Sequence, residues 1–170
     1  MKHNGMHVLN FSEPALVRRE FIYLRGKHLL GRLVALCFLP SRGQIAVDQM
    51  DRQAQRFQGI KVSLVLVGPG AHPLHQLWVG QVEKPWTAVM SDPCGRLHRS
   101  FGVAESVPTL RCHTFVIDQG GILRLRVTHD FVDRDLETLR RIIGLNQTHT
   151  YDNNGAQAPA SDIKPDYLPV

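Results

Sequence analysis

The stretch Gly31 to Asp51, GRLVALCFLPSRGQIAVDQMD, decides how the rest of the chain is read. Leu33 to Leu39 is a continuous apolar run closed by Pro40, which fits a strand buried on both faces of a sheet better than a helix. Pro40-Ser41-Arg42-Gly43 reads as a turn. Val47, Met50, Ala54 and Phe57 then recur at intervals of three and four, which lays one face of a helix on that sheet. The unit is strand, loop, helix. Its loop and first helical turn are where backbone N–H groups converge and where an anion or a thiolate is favoured.

Working outward, Ala15 to Leu24 reads as an early strand, and Gly26 to Gly31 turns the chain into the central one. Lys61 to Val67, KVSLVLV, is a second buried strand ending at Gly68-Pro69-Gly70. A short helix is expected from Pro73, packing Leu74, Leu77 and Trp78. A strand then runs to Met90, followed by a turn at Ser91-Asp92-Pro93-Cys94-Gly95 and a short helix carrying Leu97 and Phe101. His113 to Asp118 and Ile122 to Val127 form a hairpin around Gln119-Gly120-Gly121, with Leu123 and Leu125 alternating against Arg124 and Arg126. Leu136, Leu139, Ile142 and Ile143 mark a last helix. Asp133 or Asp135 stands at its start, Gly144 near its end, and Arg140-Arg141 at the C-terminal end that favours cations. The rhythm is that of a sheet covered by helices.

At 170 residues, 43% hydrophobic and 21% charged, the chain has room for one domain with a sizeable core. The opening MKHNGMHVLNFSEP lacks the apolar core of a secretory signal, and no apolar run is long enough to span a bilayer. A cytoplasmic location and no membrane association are therefore expected. The net charge of +5 is scattered in pairs such as Arg18-Arg19, with no basic stripe or reader fold for nucleic acid, so none is expected as a partner. Cys37, Cys94 and Cys112 form no CxxC pair and no metal-type spacing. No metal or other cofactor is expected, and His72 and His75, three apart, are a weak signal without a third ligand.

Several runs together resemble the peroxiredoxins, the alkyl hydroperoxide reductase and thiol-specific antioxidant type, and among them the typical two-cysteine members. The strand ending in Pro40 matches the segment that leads to the family's active site. Ser91-Asp92-Pro93-Cys94-Gly95 with Phe101-Gly102-Val103 matches a second motif. His75-Gln76-Leu77-Trp78, Thr128-His129-Asp130-Phe131 and the ending Ser161-Asp162-Ile163-Lys164-Pro165-Asp166 extend the resemblance from about residue 14 to residue 166. It implies an α/β, thioredoxin-like fold with a central mixed sheet flanked by helices over residues 1–146. An extended C-terminal arm, residues 147–170, is expected to pack on the domain or on a partner subunit, in a homodimer or higher homo-oligomer.

The same resemblance places the family's active-site positions at Pro40, Gln44, Val47 and Arg111. Family members carry Thr or Ser where Gln44 stands and the peroxidatic cysteine where Val47 stands. Attack on peroxide requires a thiolate, and valine supplies no nucleophile. The resolving cysteine is absent as well, since its segment falls around residues 152–155. The family's peroxide-polarising arginine has Arg111 as its nearest counterpart. It is displaced by one position, so that Cys112 takes the register unless a local bulge restores it.

Two functions follow. One is a peroxiredoxin-like protein with a degenerate active site, lacking standard peroxide reduction and acting as a binding, scaffold or regulatory module. The other is a thiol-dependent oxidoreductase reducing peroxides through a relocated cysteine, Cys112, flanked by Arg111 and His113. The reading that Cys112 favours by itself is a strand cysteine packed as a small hydrophobe. Cys94, in a surface turn, is a second candidate redox thiol, and Cys37 reads as core. An enzyme needs a reachable sulfur of low pKa; a scaffold does not.

Overall fold

A computed structural model describes residues 9–17, 20–39, 55, 57, 60–69, 87–103, 111–130 and 132–151. Seven strands form one mixed sheet: β1 (Ser12–Val17), β2 (Glu20–Arg25), β3 (Val34–Phe38), β4 (Ser63–Pro69), β5 (Thr87–Asp92), β6 (Cys112–Ile117) and β7 (Leu123–His129), in the order β2-β1-β5-β4-β3-β6-β7. A short helix, α1 (Arg96–Ser100), follows β5, and a long one, α2 (Asp133–Tyr151), follows β7. The expected α/β class with a mixed sheet is what the chain adopts. Pro40, Gln44, Val47 and the start of the helix expected there lie outside the described residues. So do the helix expected from Pro73 and residues 152–170 of the expected arm. Phe57, the last position of the first expected helical stripe, is buried in the core.

β3 runs parallel to β4 and antiparallel to β6, and every residue in it is buried. Because side chains alternate across a strand, Ala35 and Cys37 enter one core, shared with Phe57, Leu136, Leu139 and Ile143 under α2. Val34, Leu36 and Phe38 enter the other, shared with Leu97, Phe101 and Phe115 beside α1. In that second core Phe38, Phe101 and Phe115 meet edge-on or tilted, with centroids 4.9–5.5 Å apart, the arrangement that ring quadrupoles favour.

Three expectations need correction. The early strand is two, β1 and β2, paired antiparallel with Val17 opposite Glu20. The chain therefore reverses between the two strands, at the point where charge interrupts the apolar run in the sequence. In β7 the register shifts at Val116/Ile117, with Val116 opposite Leu125 and Ile117 opposite Leu123. Arg124 is thus the extra residue of a bulge, which sends Leu123 and Leu125 to opposite cores. Asp118 holds this turn, accepting from the N–H groups of Gly120 and Ile122 at 2.9 Å and from Arg124 at 2.6 Å. Finally, α2 continues past Gly144 to Tyr151. Arg140 and Arg141 are therefore mid-helix, and both bond Glu137 one turn back rather than the helix end.

The turn after β5 closes with Gly95 at φ 63°, a conformation that L side chains rarely adopt. Asp92 reaches over it, its Oδ2 accepting from the backbone N–H of His98 at 2.8 Å and lying 2.7 Å from the His98 Nδ1, with both side chains buried. Among the described residues Asp92 Oδ1 has no partner. Burial pushes this carboxyl up, but the hydrogen bonds from His98 and Leu97 outweigh it and hold the group below its ordinary value. No described helix is long and apolar enough to cross a membrane.

Replacing Asp92 by Ala is expected to lower the unfolding free energy by about 2 kcal/mol at neutral pH, since it removes the buried acceptor of the His98 backbone N–H and the partner of its ring. With a depressed folded pKa, the carboxylate's contribution is complete above the unfolded value of 3.8 and disappears as pH falls through the folded one. The gap between the two proteins in denaturant titrations should therefore be widest above 3.8 and narrow as pH falls through the folded value.

Candidate functional site: a buried thiol pair

Three neighbouring strands place four polar or ionisable side chains on the face that α2 covers. In the β3–β6 register Cys37 stands opposite Thr114, and in the β6–β7 register Cys112 stands opposite His129. Residues two apart on a strand share a face, so Cys112 and Thr114 point the same way and Cys37 is the diagonal neighbour of Cys112. These registers gather Cys37, Cys112, Thr114 and His129 into one buried group on that face. Thr114 Oγ1 lies 2.8 Å from His129 Nε2, and His129 Nδ1 lies 2.8 Å from the carbonyl oxygen of Asp130. A carbonyl only accepts, so Nδ1 carries a proton. Cys37 is 2% exposed, and Cys112 and Thr114 are fully buried.

This wiring separates the two thiols electrically. The Cys112 S–H donates to Cys37; burial opposes charge on Cys37, but the bonds from His129 and Thr114 and the imidazole's charge add to that donation, and its pKa falls well below the ordinary thiol value. Cys112, donating to Cys37, buried, and close to the charge of Cys37 and Asp130, is raised. For His129 burial is the largest influence and disfavours the charged ring. The hydrogen bond and charge of Cys37, with help from the Asp130 carbonyl and Asp135, outweigh burial and raise its pKa. Charge is thus favoured on Cys37 and His129 and disfavoured on Cys112.

The residues singled out from sequence fall in different places. Cys112 is in the cluster. Arg111 is not: its side chain is 62% exposed, with Nε 3.5 Å from Asp130 Oδ1. The one irregularity in the β6 register is at Val116/Ile117, so no bulge there turns Arg111 inward in place of Cys112. Cys94 is exposed in the turn after β5, where its carbonyl accepts from Arg99 at 2.8 Å. Pro40, Gln44 and Val47 lie outside the described residues. No group of three His, Cys, Asp or Glu among the described residues could hold a metal ion. The pairing of Cys37 with Cys112 and His129 was not visible in the sequence, because it depends on strand register between distant segments. The signal available was that Cys37, Cys112 and His129 each lie in or beside an expected strand.

No protein-family model matches the chain, and no curated protein does. Solved structures do. The chain is similar to Enterococcus faecalis AhpC, with a TM-score of 0.67 at 20% identity, covering 91% of this chain and 99% of that one. It is similar to the mitochondrial 2-Cys peroxiredoxin of Plasmodium falciparum (TM-score 0.63, 20% identity, 88% and 96% covered) and to Mycobacterium tuberculosis AhpC (TM-score 0.63, 15% identity, 81% and 93% covered). The fold is thus the thioredoxin-like fold of the peroxiredoxins.

Burial predicts the thiols' reactivity. In the native protein a bulky maleimide should label Cys94 alone, while Cys37 and Cys112 should react only at the rate of unfolding. Peptide mapping after brief native labelling is the check. Prompt modification of Cys112 would place it at a surface and contradict the packing described.

Proposed function

We propose that this chain is a peroxiredoxin-family protein in which standard peroxide reduction is absent, and that it acts as a binding, scaffold or regulatory module. The observation that carries the reading is the burial of Cys112. By the sequence resemblance the peroxidatic position is Val47 and the Thr/Ser position is Gln44, so catalysis needs a substitute thiol. Cys112 is the candidate beside Arg111, but it has no exposure and is held protonated by its hydrogen bond to Cys37 and by burial. Rapid turnover needs a thiolate that peroxide can reach and a disulfide that a reductant can reach. Burial opposes both.

The same reading takes the chain to be cytoplasmic and at least a homodimer. The oligomer rests on the SDIKPD segment, Ser161 to Asp166, which in the resembling family belongs to an arm that packs across subunits. Residues 147–170 are assigned to that arm, the first five of them being the end of α2.

With excess hydrogen peroxide and a dithiol reductant, peroxide should disappear no faster than in a protein-free control, and Cys112→Ser should leave that unchanged. Turnover abolished by Cys112→Ser would establish the relocated-thiol enzyme instead. In sedimentation the full chain should run as a dimer or larger and shift toward monomer when residues 152–170 are removed; a monomeric full chain would count against the arm's assignment.

A further inference from the structure

We propose that a cavity between the β1–β2 hairpin and α1 binds a small acidic zwitterion of dipeptide size, whose ammonium seats on Glu13 and whose carboxylates meet Arg25, Lys27 and Arg96. The site lies toward the β2 edge, on the face of the sheet opposite the thiol cluster. It holds whether or not the chain turns over peroxide. The cavity has a volume of about 630 Å³, within the roughly 300–1,000 Å³ of pockets that take drug-sized ligands.

Charge specifies the ligand. Glu13 lines the cavity, and its side chain is 7% exposed. Ala15 of β1 pairs with Met90 of β5. Continued by two residues along both strands, that register sets Glu13 beside Asp92 on the face that α1 covers. Two buried carboxylates therefore lie close together there, and among the described residues Asp92 Oδ1 has no partner. Arg96 Nε approaches Glu13 Oε1 to 3.7 Å, too far for a hydrogen bond. Burial, the largest influence, pushes the Glu13 carboxyl up; the Arg96 charge pulls it down and the Asp92 charge pushes it up again. A buried carboxylate in that setting is completed by a cation that donates hydrogen bonds, as an ammonium does.

The mouth carries the opposite sign. Arg25 ends β2, and Lys27 stands in the single 3-10 turn that follows, Gly26–Leu29. Both are exposed, and both line the cavity with Arg96. Three cations against one carboxylate call for a ligand with more carboxylates than ammoniums. A bare anion would meet the charges of Glu13 and Asp92, and a bare cation those of the mouth, whereas like charges brought together oppose binding. The wall is built to a fixed shape. Leu9 and Phe11 line it, and the Gly26 N–H donates to the Phe11 carbonyl at 3.0 Å. The two segments pass so closely that a Cβ on Gly26 would overlap the Leu9 carbonyl, an approach that glycine permits.

The test is calorimetric titration of the full chain, at low ionic strength, with L-glutamyl-L-glutamate and with its N-acetyl form, which lacks the ammonium. The expected result is one dipeptide bound per chain. Its affinity should fall by about tenfold or more on N-acetylation, in Glu13→Gln and in Lys27→Gln, each of which removes a charged hydrogen-bonding partner. No binding of the free dipeptide would overturn the proposal. Equal binding of the acetylated form would do so too, since the site would then accept any anion. Undiminished binding to Lys27→Gln would place the dipeptide elsewhere on the protein, with the same consequence. Should Glu13→Gln fail to fold, the acetylation comparison on the wild-type chain decides, and Lys27, exposed on its turn, can be changed without touching the core.

Discussion

β3 has no exposed face. It is hydrogen-bonded on both edges, parallel to β4 and antiparallel to β6, and its five residues alternate between two apolar cores. A slip of one residue would exchange the two sets, placing Phe38 under α2 and Cys37 among the aromatic rings. The three-ring cluster of Phe38, Phe101 and Phe115 resists that slip, since these large side chains fit only on the α1 side. With β3 fixed, the registers of β4 and β6 follow, then those of β5 and β7. The polar residues of the thiol cluster are placed by apolar packing on the opposite face.

That packing places a polar group inside a core, where an unpartnered charge would be neutralised. His129 is held at both nitrogens, by Thr114 and by the Asp130 carbonyl, and charge on Cys37 and on His129 is mutually favoured. The group is closed, with each polar atom serving another. Closed polar networks favour one arrangement of the strands around them, and this one ties β3, β6 and β7 together where α2 covers the sheet. Asp92 and His98 do the same on the other face, pinning α1 to the end of β5.

Much of the fold was legible from local pattern. The run from Leu33 to Leu39 reads as a two-sided buried strand because its composition leaves no face for water, and the strand formed by Ser63–Pro69 reads the same way. Errors arose where tertiary context decides. Nothing local in ILRLRV shows that Arg124 is the extra residue of a bulge, and alternation alone put Leu123 and Leu125 on one face. Gly144 resembles a helix stop, yet α2 passes through it, because burial of Leu136, Leu139 and Ile143 holds the helix on the sheet and outweighs one glycine's cost of about 1 kcal/mol. The thiol site was the least legible part. Cys37 reads as core, which it is, and Cys112 reads as either core or nucleophile. That they touch, and that His129 joins them, follows from registers among three strands that no short window of sequence contains.

The account's central claim is that the chain's remaining thiol chemistry lies inside the sheet, as a Cys37 thiolate charge-paired with His129, and not at a surface site. The most direct measurement is the ultraviolet absorbance of thiolate followed against pH in the native protein, compared with Cys37→Ser and Cys112→Ser. The account predicts a thiolate signal at neutral pH, well below the ordinary thiol range, that vanishes in Cys37→Ser and persists in Cys112→Ser with its midpoint moved upward by loss of the donating S–H. A native protein with no thiolate signal below the ordinary thiol range, or a neutral-pH signal that survives Cys37→Ser, would contradict it.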